Sequence, residues 1–351
     1  MKYRVIQWAT GNVGRAAIEG IAAHPELELV GAWVHSEAKA GRDAGEIAGI
    51  GPLGVKASND AEALLALDAD CVLYSPMLAQ PAEVVRMLES GKNVVTPLGW
   101  FYPFSSSGVA EVEAACRRGR VTLHGTGIHP GGITERFPLM LSGLCRNIRH
   151  VRAEEFSDIR SYATEFVVRE LMLFGKPPEA AAQSAMIKIL GAGFQQSIDM
   201  LAAGLGLRLD PEKRTHHEMA VATAPIEAAV GVIEAGTVAA QRFRWQGTVG
   251  GEPVITAGVN WLMGDEHLEP AWQLGEQRFE VSFDAEPPLH VTFHGLHPPD
   301  VHRDQDRNPG IAATAMHCVN AIPAVCGAPP GIRTYLDLPL VSGRAAPGLL
   351  A

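Results

Sequence analysis

Three small residues between a β-like run and a helix-like run have the spacing of a phosphate-binding turn. In "QWATGNVGRAAIEG" (7–20), Ala9, Gly11 and Gly14 occupy the positions of a G-x-G-x-x-G turn. The N–H groups at the start of a helix bind a pyrophosphate, and glycine lets the backbone approach it closely. Ala9 can replace the first glycine if its backbone angles suit the turn. A strand before the turn and a second strand ending about 20 residues later favour a dinucleotide site over an ordinary turn.

The end of the second β-like run bears on which dinucleotide binds. An acidic residue there would bind the adenosine ribose diol and exclude a 2′-phosphate. In "WVHSEAKAGRD", His35 and Ser36 occupy the expected positions, Glu37 follows one step later, and the cations Lys39 and Arg42 come next. A neutral strand end beside cations favours NADPH, and Glu37 leaves NADH open. The alternative for the two cations is that both are merely solvated.

The other cofactor contacts are expected where parallel strands end, because ligands of doubly wound sheets bind at the carboxyl ends of the strands. The residues that we expect to contact the cofactor are Thr10, Gly11, Asn12, Val13, Gly14, Arg15, His35, Ser36, Lys39, Ser75, Pro76, Thr96 and Gly127.

Hydride transfer to a C=O or C=N carbon also needs a proton donor near the heteroatom. The catalytic candidates are His129 in "GTGIHPGG", Tyr102 in "TPLGWFYP" and Glu155, with Asp158 close by. The alternative for His129 is a ring that only fixes its loop, and for Tyr102 a packed side chain. The acids could instead be solvated or paired with a neighbouring arginine.

Two further residue groups have weaker implications. Large apolar side chains could line a pocket for an apolar substrate, although core packing explains most such residues: Trp100, Phe101, Phe104, Phe166, Met172, Phe174 and Trp261. The histidine-rich "HVTFHGLH" places His290 and His294 on one face of a strand, but about 13 Å apart, too far to share a metal ion. We predict no metal site.

Elements that bring strand ends together must position these residues. From residue 2 to about 150, short apolar runs alternate with helical patterns: "YRVIQWA", "LELVGAWV", "DADCVLYSP", "KNVVTPL" and "RVTLHGTG". This alternation is typical of parallel β-α-β units. We therefore predict an α/β fold, with a Rossmann-type doubly wound parallel sheet over residues 1–150.

A second domain of α+β type is expected over residues 151–308. Residues 164–206 are largely helical, and 226–295 carries β-like runs separated by turns. Gly250 and Gly251, between two apolar runs, predict a hairpin. A mixed or antiparallel sheet accounts for this pattern.

The end of the chain is predicted to form a third region, residues 309–351. It follows "HPPDVHRDQDRNP" (297–309), whose polar residues and prolines predict a loop or linker. The apolar "GIAATAMHCVNAIPAVCGAPPG" after it has helical spacing up to Pro323. Spacing alone leaves the packing partner of this helix open.

Composition excludes several classes of protein. The 351 residues are 47% hydrophobic and 19% charged, which suits a globular chain with two cores. The net charge of −10 and the scattered basic residues argue against nucleic acid as a partner. We see no export signal and no run of 18 apolar residues, so a cytoplasmic protein without a membrane partner is expected. The five cysteines form no C-x-x-C pair and read as buried thiols.

Part of the first domain resembles a known reductase. The segment "GRDAGEIAGIGPLGVKASNDAEALL" (41–65) is similar to the amino-terminal half of dihydrodipicolinate reductase, which has a similar glycine turn. The catalytic half of that enzyme carries a histidine-rich motif ending in lysine. The corresponding segment here, "EEFSDIRSYATEF" (154–166), has neither residue, so that activity is not predicted.

A second resemblance covers nearly the whole chain. Tyr102-Pro103, "GTGIHPGGI" (125–133) and the segment 313–340 resemble the 2,4-diaminopentanoate dehydrogenases and the related native amine dehydrogenases. This resemblance implies NAD(P)H as cofactor, a Rossmann domain followed by a substrate domain, a homodimer, and a late helix that returns to the first domain. Amine dehydrogenases of this group carry a glutamate just before the Tyr-Pro pair. "TPLGWFYP" (96–103) has no acid.

The missing glutamate leaves three functions to compare. We expect an NAD(P)H-dependent oxidoreductase that reduces C=O or C=N of a small, largely apolar substrate, with NADP as cofactor and NAD possible. The first alternative is an amine dehydrogenase with a relocated acid, for which Glu155 is the candidate. The second is a nucleotide-binding sensor without turnover.

Overall fold

The computed structural model describes residues 2–300 and 308–349, and its contacts divide the chain into two units. The first unit comprises Met1–Gly131 and Ile311–Ala351, and the second comprises Gly132–Gly310. The strands are, in chain order, β1 (Tyr3–Trp8), β2 (Leu27–Trp33), β3 (Ala57–Ser58), β4 (Cys71–Tyr74), β5 (Asn93–Thr96), β6 (Thr122–Gly125), β7 (Arg146–Asp158), β8 (Arg214–Ala222), β9 (Val238–Val249), β10 (Glu252–Leu262), β11 (Leu268–Glu269), β12 (Arg278–Glu286), β13 (Leu289–Phe293) and β14 (Gly331–Ile332). The α-helices are α1 (Asn12–Ala23), α2 (Ala44–Ala48), α3 (Ala61–Leu65), α4 (Pro81–Glu89), α5 (Val109–Gly119), α6 (Phe137–Ser142), α7 (Pro178–Ala182), α8 (Met186–Leu205) and α9 (Pro309–Cys326).

The first unit is built on a seven-stranded parallel sheet in the order β14-β6-β5-β4-β1-β2-β3. Its central strands are buried on both faces, which explains why they are continuous apolar runs rather than alternating ones. The order reverses between β1 and β4, as expected of a doubly wound fold. The predicted Rossmann-type α/β fold is confirmed.

Helix α9 belongs to the core of the first unit. It contributes Ala315, Cys318, Val319, Ala321, Ile322 and Val325 to the same hydrophobic cluster as α1. A Cβ at Gly20 of α1 would lie 2.0 Å from Cε of Met316, so the missing side chain makes room for α9. In the part of the chain that the structure describes, α9 is the one helix whose length and composition would suit a membrane span. Core helices of globular proteins pass the same test, so this is weak evidence for a membrane.

The second unit is built on a mixed seven-stranded sheet in the order β11-β8-β9-β10-β7-β12-β13. The pair β10 and β7 is parallel, and the other pairs are antiparallel. The predicted hairpin joins β9 to β10 through Gly250 and Gly251, whose φ angles are 60° and 85°. Two successive positive φ angles are what a two-residue hairpin turn requires.

The two faces of this sheet differ in polarity. One face packs against α8, where Phe194 stacks on Trp245 of β9 at 4.3 Å between ring centroids. Gly191 of the same helix leaves room for that indole, because a Cβ there would lie 2.7 Å from its Nε1. The other face carries charged side chains, among them Glu154 and Arg244, which form an ion pair of 2.9 Å. Every second residue of β7 therefore faces the apolar side.

The boundary between the units differs from the predicted boundary after residue 150. Residues 132–145 pack with the second unit, because the π-helical segment Gly132–Arg136 and α6 contact β7. Strand β7 itself begins at Arg146. The predicted linker at 297–309 falls partly on residues 301–307, which lie outside the described residues. The segment Ile311–Ala351 is part of the first unit, where β14 pairs with β6.

Candidate functional site

The glycine turn between β1 and α1 is held by close backbone contacts. Ala9 has φ 75°, the left-handed region that the first glycine of the motif would adopt easily. A Cβ at Gly14 would lie 2.1 Å from the carbonyl oxygen of Ala9, so any side chain there would force the strand and the helix apart. Gln7 stabilises the turn, because its Nε2 donates hydrogen bonds to Ala9 O at 2.9 Å and to Ser75 Oγ, which follows β4, at 2.9 Å.

Gly11 has the opposite surroundings. It is the N-cap of α1, has ordinary φ and ψ of −73° and −168°, and supplies no side-chain cap. A Cβ built on it would meet nothing within 4 Å. An uncapped helix N-terminus facing open space fits a pyrophosphate, because its N–H groups and the helix dipole favour an anion.

The expected ribose end lies beside the same turn. Trp33 at the end of β2 stacks on Trp8 at 5.1 Å, and His35 and Ser36 follow it as exposed residues. Lys39 reaches back to the turn, where its Nζ donates to Thr10 O at 3.2 Å and to Thr10 Oγ1 at 3.4 Å. The structure therefore brings a cation next to the glycine turn.

The remaining cofactor candidates of the first unit lie at one edge of its sheet. Ser75 and Pro76 follow β4, Thr96 ends β5, and Gly127 follows β6. These strands are neighbours and parallel, so their carboxyl ends meet. Thr126 N donates to Thr96 O at 2.9 Å and ties two of these ends together.

The two proton-donor candidates of the first unit lie at this edge. Tyr102 follows β5, is half-buried and packs edge-on against Phe104 at 4.9 Å. His129 lies in the loop after β6, which folds back on itself so tightly that a Cβ at Gly131 would lie 2.1 Å from Gly127 O. Among the large apolar side chains that could line a substrate pocket, Phe101 and Phe174 are buried core residues, which agrees with the alternative of core packing.

A polar cluster at the end of β6 was missed by sequence reasoning. Thr126 Oγ1 lies 3.2 Å from His317 Nδ1 of α9 and also hydrogen-bonds the hydroxyl of Tyr335. That hydroxyl lies 3.2 Å from the same His317 nitrogen, which contacts Gly127 O at 2.5 Å. Nearly 200 residues separate the two sides of the cluster, so no local pattern could have indicated it.

Glu155 lies in the second unit, on the apolar face of β7. Its neighbours across the ladder are Val259 of β10 and Phe279 of β12. Ser157, two residues along the same face, donates its hydroxyl to Glu155 Oε1 at 2.6 Å. The indole of Trp261 also hydrogen-bonds this carboxyl group.

Burial raises the pKa of Glu155 to about 7, more than the hydrogen bonds from Ser157 and Trp261 lower it. A carboxyl group with such a pKa exists in both protonation states at neutral pH and can act as general acid and general base. The neighbouring acids behave differently. Asp158 is bound by Arg160 at 2.6 Å and Glu154 by Arg244, so the paired alternative applies to them.

The histidine-rich segments of the second unit have structural partners. His217 stacks on Phe243 at 4.1 Å, and its Nε2 contacts Gln241 Oε1 at 2.8 Å. His216 contacts Gln246 in the same way at 3.1 Å. Within residues 2–300 and 308–349, no group of three or more His, Cys, Asp or Glu residues could hold a metal ion.

Two family profiles match the chain. "Dihydrodipicolinate reductase, N-terminus" matches residues 5–96, and "2,4-diaminopentanoate dehydrogenase C-terminal domain" matches residues 133–268. The second match begins next to the boundary between the two units. The resemblances drawn from the sequence are therefore confirmed.

Individual relatives agree with these profiles. An amine dehydrogenase of Streptomyces virginiae is 33% identical over 95% of this chain and 96% of its own length. The 2,4-diaminopentanoate dehydrogenase of Acetoanaerobium sticklandii is 26% identical over 66% of this chain and 61% of its own length. The structure of an amine dehydrogenase from Mycobacterium smegmatis superposes with a TM-score of 0.79, at 23% identity, covering 98% of both chains, and shows a shared fold.

The relatives bear on the class of reaction as well. Those named here are dehydrogenases. The predicted enzyme with a small-molecule substrate and a nicotinamide cofactor is therefore confirmed, and it is favoured over the alternative of a sensor without turnover. The chain belongs to the amine dehydrogenase family and is an NAD(P)-dependent oxidoreductase.

Proposed function

We propose that this protein converts a small, largely apolar ketone and ammonia into an amine, and the amine back into the ketone, with Glu155 exchanging the reaction's protons. The observation that carries the proposal is the position of Glu155 on the apolar face of β7, between Val259 and Phe279, where partial burial raises the pKa of its carboxyl group to about 7. Residues 96–103, where the relatives carry their acid, contain none. Reductive amination in this chain therefore needs an acidic group from another segment. The 33% identical relative is itself an amine dehydrogenase.

The chemistry assigns two tasks to Glu155. Ammonia adds to the carbonyl carbon, and the hydroxyl group of the resulting carbinolamine leaves as water only if it receives a proton. Glu155 in its acid form donates that proton, and as carboxylate it accepts one from the adding ammonia. The hydride for the C=N carbon would come from NADPH when it is bound. A pKa near the working pH lets one group do both.

The first unit's residues suit NADPH. The open space at Gly11 and the uncapped start of α1 would receive the pyrophosphate. Lys39, whose Nζ contacts Thr10, would bind the 2′-phosphate of the adenosine ribose. The end of β2 carries no buried acid that would bind the ribose diol instead. Thr10, Asn12, Val13, Arg15, Ser75, Pro76, Thr96 and Gly127 remain proposed contacts. Tyr102 and His129 remain proposed to assist at the reacting heteroatom.

The second candidate is direct carbonyl reduction without ammonia. It is favoured by the composition of "TPLGWFYP", which lacks the acid that the amine dehydrogenases carry before Tyr102. Reduction of a carbonyl group needs one proton donor and no group that handles ammonia.

Ammonia dependence separates the two candidates. Oxidation of NADPH is followed at 340 nm with a panel of small ketones, with and without ammonium, and the reverse reaction with the matching amines and NADP⁺. We expect turnover only with ammonium, and its loss in Glu155→Gln. The control is Glu165→Gln, which changes an acid of the same unit whose side chain is 76% exposed. An equal rate without ammonium selects carbonyl reduction.

We further propose a cytoplasmic homodimer that binds neither nucleic acid nor membranes. The net charge of −10 disfavours nucleic acid, and the burial of α9 residues in a protein core disfavours a membrane span. The homodimer rests on the family resemblance. Sedimentation equilibrium measures it directly, and a monomer at micromolar concentration would contradict it.

A further inference from the structure

A serine and a histidine connect Glu155 to the far edge of the second unit's sheet. Ser157 Oγ lies 2.6 Å from Glu155 Oε1 and 2.8 Å from Nε2 of His297. Ser157 is 4% exposed and His297 is half-buried. The three groups form an unbroken line of hydrogen bonds, although 140 residues separate the serine from the histidine.

The surrounding rings fix this line. His297 follows β13 in the chain and stacks on Phe279 of β12 at 4.7 Å between centroids and 26° between planes. Phe279 is itself the cross-strand partner of Glu155. The ladder therefore holds the imidazole plane and the carboxyl group in one register.

We propose that Glu155, Ser157 and His297 form a proton relay that returns a proton to the Glu155 carboxyl group after each turnover. The inference rests on the proposed function of Glu155. When Glu155 is a carboxylate, the Ser157 hydroxyl donates to it and accepts from Nε2–H of His297. Transfer moves the serine proton to Glu155 and the Nε2 proton to Ser157, while Nδ1 of His297 takes up a proton supplied by solvent. Three protons shift along the line, one proton passes from solvent to Glu155 in net terms, and only Glu155 changes its charge.

The other charged and titratable groups fit this direction of transfer. Burial, and then the charge of His294, lower the pKa of His297 to about 4, so the ring is neutral at pH 7 and exchanges protons by switching tautomers. Nδ1 of His297 is buried and has no hydrogen-bond partner among the described residues, so no described protein group competes for the incoming proton. Burial, and then the charge of Glu155, raise the pKa of Tyr162 to about 12, so its phenol stays neutral.

Acidic side chains on the helical segments that pack against β7 and β10 are paired with groups other than Glu155. In the π-helical segment Gly132–Arg136, Glu135 hydrogen-bonds Ser197 of α8. Asp199 of α8 forms an ion pair of 2.7 Å with Lys213. The pKa of Glu155 is raised by burial alone and is lowered by the hydrogen bonds from Ser157 and Trp261.

The test removes each relay atom and keeps the fold. Ser157→Ala removes the hydroxyl, Ser157→Thr restores one, and His297→Ala removes the ring. The matched controls are Ser282→Ala, on the opposite face of the same sheet, and His290→Ala, which removes an exposed ring. Circular dichroism and the melting temperature show that each variant is folded.

Two readouts are expected to change together. In the ammonia-dependent assay, Ser157→Ala and His297→Ala lower kcat by about 10-fold or more at an unchanged KM, because proton transfer becomes rate-limiting. The solvent isotope effect on kcat rises in both, imidazole buffer restores His297→Ala, and Ser157→Thr and the controls behave as wild type. An unchanged kcat and isotope effect in both relay variants would overturn the relay.

A readout without turnover separates failure of the relay from failure of the proposed function. Titration of the Glu155 carboxyl group by ¹³C NMR is expected to give a midpoint near 7 in the wild type. Ser157→Ala raises the midpoint, because the carboxylate loses a donor, and Ser157→Thr restores it. If the wild type lacks ammonia-dependent turnover, the proposed function fails and this titration still judges the relay. A midpoint that Ser157→Ala leaves unchanged contradicts it.

Discussion

Gly11→Ala and Gly14→Ala each add one methyl group to the same turn, but we expect the two variants to differ in stability. In Gly11→Ala the new Cβ meets no protein atom within 4 Å, and the φ of −73° suits alanine, so the free energy of unfolding should change by less than about 0.5 kcal/mol. If the pyrophosphate occupies that space, the methyl group displaces it from the helix N-terminus. Loss of one charge-assisted hydrogen bond, about 1.5–3 kcal/mol, weakens binding roughly 10- to 150-fold.

Gly14→Ala acts on the fold as well as on the cofactor. Its Cβ would lie 2.1 Å from Ala9 O, so strand and helix must separate by roughly 1.5 Å to reach an ordinary contact. Overpacking of this kind costs about 1–3 kcal/mol, less than the total stability of a typical domain, so the chain should still fold. Gly14→Val should cost more and abolish cofactor binding while the chain still folds.

Calorimetric titration with NADPH and thermal unfolding measure the two effects separately. We expect Gly11→Ala to lose affinity at unchanged melting temperature, and Gly14→Ala to lose both. Wild-type affinity in Gly11→Ala would show that the phosphates bind elsewhere. An unchanged melting temperature in Gly14→Ala would refute the packing argument.

Three further predictions use single substitutions. Ala9→Gly removes a left-handed alanine, whose strain of about 1–2 kcal/mol outweighs the entropy of an added glycine, about 0.5–1 kcal/mol, so the melting temperature should rise; a fall would contradict this. Lys39→Ala should raise KM for NADPH and leave KM for NADH unchanged, whereas equal effects would remove its assignment to the 2′-phosphate. Glu155 has a folded-state pKa above its unfolded value, so it holds its proton more tightly when folded, and its contribution to stability is lost as pH rises from about 4.5 to about 7. Urea unfolding should therefore show Glu155→Gln gaining stability over wild type between pH 5 and pH 8, by about 3 kcal/mol at most; a constant difference would mean an unshifted pKa.

Local sequence spacing was sufficient where neighbouring residues determine the structure. The glycine turn and the Gly250-Gly251 hairpin depend on residues close together in the chain, and the parallel sheet of the first unit was indicated by the local alternation of strand and helix patterns. The boundary between the units lies before the predicted one because residues 132–142 are helical and carry no signal of the sheet that they cover. Their packing partner, β7, begins only at Arg146.

The candidate site was only partly predictable for a related reason. Glu155 was identified as an acid near a strand end, but its raised pKa comes from burial on the apolar face, which the register of β7 with β10 and β12 creates. No sequence pattern marks Ser157, because its hydrogen-bond partner His297 lies 140 residues further along the chain. His317 and Tyr335 reach Thr126 from the carboxyl-terminal segment in the same way.

The pH dependence of ammonia-dependent ketone reduction tests the central claim most directly. If Glu155 exchanges the protons, kcat/KM for the ketone should show an inflection near pH 7, the pKa of that buried carboxyl group. Glu155→Gln should lose the inflection and about 10²-fold or more of the rate, while still binding NADPH. A Glu155→Gln variant that keeps both the rate and the inflection would contradict the account.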